Sequence, residues 1–204
     1  MSTSREKILA RVGQALGPLP QRAALPDWDR DLVILREAHG HIDRWMLFSE
    51  RFKAVNGRPL ADVAELVTYL TENQALHGYC DPALWAALQP RFPSHLTAET
   101  EFDRTRVDDF QFGITAAMGA IAETGTVMLS DSGTSRRLGA LAPWIHIAVV
   151  RRADIFLDLP AAITAMPLDP NIVWCTGPSK TADVEGILIE GVHGPGIQIA
   201  LLID

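Results

Sequence analysis

Four short apolar runs in the second half of the chain limit its fold more than any other feature. "TVMLS", "IHIAVVR", "IVWCTG" and "IQIALLI" each have the length of a strand, and helix-compatible stretches at 137–142, 161–166 and 183–189 separate them. Strands buried on both faces read as near-continuous apolar segments. Strands that alternate with helices pair in parallel, because each crossover carries the chain back to the same end of the sheet. The expectation is an α/β fold, with a mostly parallel sheet and flanking helices.

The first half is helical in texture. Thr3 and Glu6 stand at capping-box spacing, and Ile8, Leu9, Val12, Ala15 and Leu16 recur at helical intervals. "GPLP", Gly17 to Pro20, ends that helix and opens a proline-punctuated loop reaching Asp27. This predicts an N-terminal helical arm over residues 1–20 ahead of a main domain over 28–204. Ile42, Trp45, Phe48, Phe52 and Val55 form a second helical stripe of core residues. Asp62 opens a further helix that buries Val63, Leu66, Val67 and Leu70, "QALHGYC" reads as a short strand, and Asp81 before Pro82 opens a helix with Trp85 and Leu88 inside. Residues 90–109 are polar connecting structure with room for one helix.

With 48% hydrophobic residues over 204 positions, the chain can bury a substantial core. A formal charge of -7 argues against nucleic acid or anionic lipid as partner. The charged start of "MSTSREKILARVGQAL" excludes a signal peptide there, and no apolar run approaches the ~18 residues of a membrane span. Cys80 and Cys175 make no disulfide framework, so a reducing cytoplasm is the expected compartment.

Three loops carry candidate chemistry. "AIAETGTVML" places Glu123 beside Thr124, Gly125 and Thr126 in a run otherwise built for burial, where an unpaired carboxylate costs several kcal/mol or takes a proton. A tight turn between two strands accommodates it, either as a solvated glutamate or as part of a site whose hydroxyls and amides face a polar ligand. "TGPSKTADVE" follows a predicted strand and leads into a predicted helix, so Ser179, Lys180 and Thr181 sit where anions gather, although ordinary helix capping explains them equally. "GVHGPG" sets His193 in a glycine turn, as acid, base or ligand. His146 alternates with Ile145 and Ile147 and reads as a satisfied structural histidine on the opposite side of its strand. "DSGTSRR" offers two arginines for a carboxylate or phosphate, or a solvated helix start. No phosphate-cradle, metal-ligand or hydrolase-elbow spacing occurs, so the sequence calls for no metal.

In this order and spacing, "GITAAMGAIAETGTVML", "PWIHIAVV" and "TGPSKTADVEGILIEGVHGPG" resemble the LUD domain of the lactate utilization protein C family. The resemblance is dense from Phe112 to Asp204 and looser over the N-terminal helices. It implies a fold similar to the group of ribose-5-phosphate isomerase, glucosamine-6-phosphate deaminase and CoA transferase. It also implies a role in oxidising L-lactate to pyruvate with iron-sulfur partner proteins. This chain, with two distant cysteines, carries no iron-sulfur cluster of its own, so electrons would pass to the partners, and the motifs specify no organic cofactor. By the same resemblance Glu123 and His193 are the catalytic candidates. Thr124, Gly125, Thr126, Gly177, Ser179, Lys180, Thr181, Asp183 and Glu185 are the candidates for binding a small carboxylate or other anion. Lys180 stands where relatives often carry arginine, keeping the charge without the planar fork. Two alternatives stay open: a stand-alone sugar-phosphate or CoA-type enzyme, since CoA transferases use a glutamate nucleophile, and a non-catalytic assembly subunit.

Overall fold

The computed structural model describes residues 3–17, 41–130, 137–166, 171–182 and 187–204. The proline-rich loop after Gly17, the small-residue loop at 131–136, and both Asp183 and Glu185 lie outside the described residues. The chain divides into two compact units, residues 1–33 and 34–204. In the first, α1 (Ser4–Leu16) is closed by the reciprocal capping box of Thr3 and Glu6, and none of its residues is buried. Its apolar stripe of Ile8, Leu9, Val12 and Leu16 is exposed. No helix among the described residues is long and apolar enough to cross a membrane.

The second unit is layered. In chain order it contains α2 (Arg44–Ala54), β1 (Arg58–Leu60), α3 (Val63–Glu72), β2 (His77–Cys80), α4 (Pro82–Leu88), β3 (Thr97–Glu99), β4 (Phe112–Ala116), β5 (Gly119–Ile121), β6 (Thr126–Ser130) and α5 (Arg137–Leu141). There follow β7 (Ile145–Arg151), β8 (Ile155–Phe156), α6 (Leu159–Ala165), β9 (Ile172–Cys175), β10 (Lys180–Ala182), β11 (Leu188–Glu190) and β12 (Ile197–Ile203). Six strands form a wholly parallel sheet in the order β1-β12-β7-β4-β2-β3. Its central strands β4, β7 and β12 are buried almost end to end, as their continuous apolar runs require.

Side-chain alternation splits the core in two. Ile147, Val149, Ile199 and Leu201 face one way and pack with Val63, Leu66 and Leu70 of α3 and Leu88 of α4. Ala148, Val150, Ala200 and Leu202 face the other way, onto Leu47, Phe48 and Phe52 of α2 and onto Val127 and Leu129 of a second sheet. That sheet runs β8-β5-β6-β9. The helices begin where short acids accept their orphan amides: Asp43 for α2, Asp62 for α3, Asp81 for α4 and Asp158 for α6.

One expectation is corrected. The helix predicted over 183–189 is contradicted at its carboxyl end, where Leu188–Glu190 is a strand. It pairs antiparallel with Lys180–Ala182, placing Lys180 opposite Glu190 and Thr181 opposite Ile189. Opposite charges across the ladder favour this pairing, and the β-branched Thr181 and Ile189 suit a strand better than a helix. No helix therefore begins immediately after Thr181.

Candidate functional site

"ETGT" is the turn of the β5–β6 hairpin, with Ile121 opposite Thr126. The turn is clamped on one side by β8 and α6: the amides of Ala122 and Glu123 donate to the carbonyls of Phe156 and Leu157. The Glu123 carboxylate, at Oε1, accepts the Leu159 amide at 2.7 Å, next to the Asp158 cap. An acid in an apolar run is thus satisfied by the first amide of a short helix, one of the donors that helix geometry leaves unpaired. On the other side, hydroxyls link Thr124 to Thr126 at 2.7 Å and Thr126 to Thr176 at 2.8 Å, tying the turn to the end of β9.

Two further turns meet there. The Ser179 amide donates to the Pro195 carbonyl and the Gly191 amide to the Ser179 carbonyl, each at 2.9 Å, so the 176–179 and 191–196 segments are knitted backbone to backbone. Gly194 has its neighbour in the Ser179 side chain. Between them, at the carboxyl end of β9 and the amino end of β12, lies a cavity of about 230 Å³. Thr176, Ser179, His193 and Gln198 supply its polar side chains, while Leu141 and Trp174 are apolar walls. This is smaller than the roughly 300–1,000 Å³ of sites for drug-sized ligands, and suits a small metabolite. A second cavity, of about 480 Å³, lies across the same glycine turn, against Trp144, Val192 and Phe110.

The candidates therefore separate. Gly177, Ser179 and His193 line the small cavity. Thr126 reaches it through Thr176, and Thr124 through Thr126. Gly125 docks the hairpin turn on α2. Lys180 is outside the lining: its Nζ donates to the Val55 carbonyl at 3.0 Å and lies 3.5 Å from Glu190, whose Oε1 also accepts from Asn56. Thr181 is in β10, and Glu123 faces α6.

Sequence reasoning missed Gln198. Its signal is present: in "IQIALLI" it is the one polar residue, on the face it shares with Ala200 and Leu202. Gln198 pairs in register with His146 on β7, and His146 in turn reaches Thr115 on β4. His146 is buried and hydrogen-bonded on both ring nitrogens, and burial pulls its pKa down to about 4 despite the opposing bond from Gln198.

Cys175 also lines the cavity, but burial raises its thiol to about 11, and Cys80, buried and beside Asp81, is raised to about 12. Both stay protonated at neutral pH and neither is an activated nucleophile. Ellman's reagent at pH 7.5 is expected to label the native protein roughly a hundredfold more slowly than a free thiol, with both cysteines reacting once the chain is unfolded. Rapid native labelling of Cys175 would contradict this placement.

A parallel sheet with α3 and α4 on one face, α2 and a smaller sheet on the other, and a polar cavity built from glycine turns defines an α/β layered domain whose candidate site lies on its loops. The chain belongs to the LUD domain family, whose model matches residues 69–203. Lactate utilization protein C of Deinococcus radiodurans is 34% identical over 107 residues, covering 49% of this chain and 50% of that protein. The Macrococcus caseolyticus protein of the same name is 38% identical over 101 residues, 45% of this chain and 43% of its own length. That of Bacillus subtilis is 31% identical over 127 residues, 55% of this chain and 53% of its own. The chain thus spans about half the length of the curated relatives it matches. A DUF162 family protein from Deinococcus radiodurans, known from a crystal structure, shares the fold with a TM-score of 0.54 at 21% identity, over 79% of this chain and 96% of that one.

Proposed function

We propose that this chain is a component of an L-lactate utilization system and binds a small carboxylate, L-lactate first among them, in the cavity between the 176–179 and 193–195 turns. Family membership and relatives named lactate utilization protein C support the system. The observation that carries the site is the convergence of Thr176, Ser179, His193 and Gln198 on one small cavity with no carboxylate side chain among the described residues of its lining. Hydroxyl, imidazole and carboxamide groups can donate to a bound carboxylate, and such charge-assisted bonds are about twice as strong as neutral ones.

Oxidation of lactate to pyruvate removes two electrons and two protons. In this reading His193, the histidine of the cavity lining, takes the hydroxyl proton, the Cα–H bond breaks with its electron pair leaving to iron-sulfur partner proteins, and its proton is released to water. Glu123 acts one step back, holding the hairpin turn against α6. The exposed apolar stripe of α1 is the surface for a partner subunit, and the helical arm and the LUD domain are separate functional parts.

Disruption of the gene is expected to abolish growth on L-lactate as sole carbon source. Wild-type protein should restore it, and His193→Ala should restore less than a tenth of the rate. Normal growth after disruption, with no second copy present, would remove the system role. Full rescue by His193→Ala would remove the site.

A further inference from the structure

Gln198 is a carboxamide only 2% exposed, and it forms part of the lining of the small cavity. Its two amide atoms crowd a single atom: His146 Nδ1 lies 3.1 Å from Oε1 and 2.8 Å from Nε2. One imidazole nitrogen is either a donor or an acceptor, so it satisfies one of the two and leaves the other. Behind the ring, the Thr115 hydroxyl sits 2.8 Å from His146 Nε2 and can donate or accept, so it serves either tautomer. Thr115 is 1% exposed and His146 1%, so solvent does not make the choice.

Two self-consistent arrangements follow. In one, Thr115 Oγ1–H donates to Nε2, Nδ1–H donates to Gln198 Oε1, and the Gln198 N–H groups are free to donate to a ligand. In the other, Nε2–H donates to Thr115, Gln198 donates one N–H to bare Nδ1, and Oε1 is left to accept beside the second N–H. A buried amide atom without a partner costs the full desolvation penalty, so whatever occupies the cavity at this point settles the choice.

We infer that Gln198 is the group that reads the ligand's oxygen in this cavity, and that His146, backed by Thr115, is the positioning residue whose tautomer sets whether Gln198 offers a donor or an acceptor. The inference rests on the proposed function for its ligand class: a carboxylate accepts only, so it selects the Nδ1–H tautomer, in which Gln198 Oε1 is paired with His146 and both Gln198 N–H groups are left to donate, rather than the form that sets a bare Oε1 beside the anion. A hydroxyl presented as donor selects the reverse.

The test uses the full chain labelled with ¹⁵N-histidine, titrated at pH 7 with L-lactate, pyruvate, acetate and succinate. Saturation by a carboxylate is expected to move the His146 nitrogens to the Nδ1–H, bare-Nε2 pattern. Gln198→Met, close in volume, is expected to weaken binding at least tenfold. The wild-type tautomer shift needs no substitution, so it decides the matter even if the variant folds poorly. If L-lactate fails to bind but another carboxylate gives the tautomer shift, the lactate reading falls and the role of Gln198 stands. If L-lactate binds with both His146 nitrogens unchanged and with affinity within twofold in Gln198→Met, the role of Gln198 is overturned and the lactate reading stands. Binding of none of the four carboxylates overturns the inference as well.

Discussion

Acidification from pH 6.5 to about 4 is expected to cost the folded protein roughly 3 kcal/mol through His146 alone. The ring is completely enclosed between β4 and β12, and desolvation penalises its cationic form. Its folded pKa is about 4, whereas an unfolded histidine titrates near 6.5. Between those values the unfolded chain holds a proton that the native chain does not, so stability falls as pH falls and levels off below about 4. Above 6.5 the contribution is constant. Urea midpoints for wild type and His146→Gln, taken from pH 8 to pH 4, isolate the effect, because carboxylates common to both proteins cancel. The wild-type advantage should shrink by roughly 3 kcal/mol across the window. Parallel curves would mean that the ring is charged or wet in the fold.

That histidine shows where the sequence stops short. The alternation in "IHIAVVR" is enough to turn His146 away from Ile145 and Ile147, because period-two patterning is local. Which strand lies beside it is not local. Gln198 is 52 residues away and becomes its partner only because β12 inserts next to β7 in the sheet order. The helix caps at Asp62 and Asp81 were legible because capping acts over two or three residues. That Leu188–Glu190 is a strand rather than the carboxyl end of a predicted helix was not, since its pairing depends on Lys180 meeting Glu190 and on the Ser179 backbone meeting Gly191 and Pro195. The ambiguity at "ETGT" had the same origin. A glutamate in a turn can be wet or bound, and the amide that binds this one begins a helix 36 residues downstream. Lys180, read from sequence as a grip for an anion, meets the Val55 carbonyl just beyond α2, an acceptor 125 residues away in sequence.

The same non-local geometry gives the motif glycines a role that can be measured by substitution. Gly125, at φ +62°, and Gly177, at φ +78°, both occupy the left-handed region, and both abut the carboxyl end of α2. A Cβ at Gly177 would lie 2.1 Å from the Val55 carbonyl oxygen, and one at Gly125 would lie 2.4 Å from the Phe52 amide nitrogen. Both obstacles are backbone, so no rotamer change relieves them. Gly177→Ala combines the left-handed penalty of about 1 kcal/mol with displacement of a packed turn, for an expected loss of about 3 kcal/mol or more. For a chain of this size that corresponds to a fall of roughly 6–12 °C in Tm. Because Gly177 is also a wall of the small cavity, the surviving folded fraction should bind acetate and L-lactate more weakly than wild type. Gly13→Ala is the control: Gly13 sits in α1 with nothing within 4 Å of the added carbon, and alanine there should leave Tm unchanged or raise it slightly through helix propensity. A Gly177→Ala protein melting within a degree of wild type would show that the 176–179 turn does not press on α2. The cavity would then lack the rigid edge that holds Ser179 opposite His193.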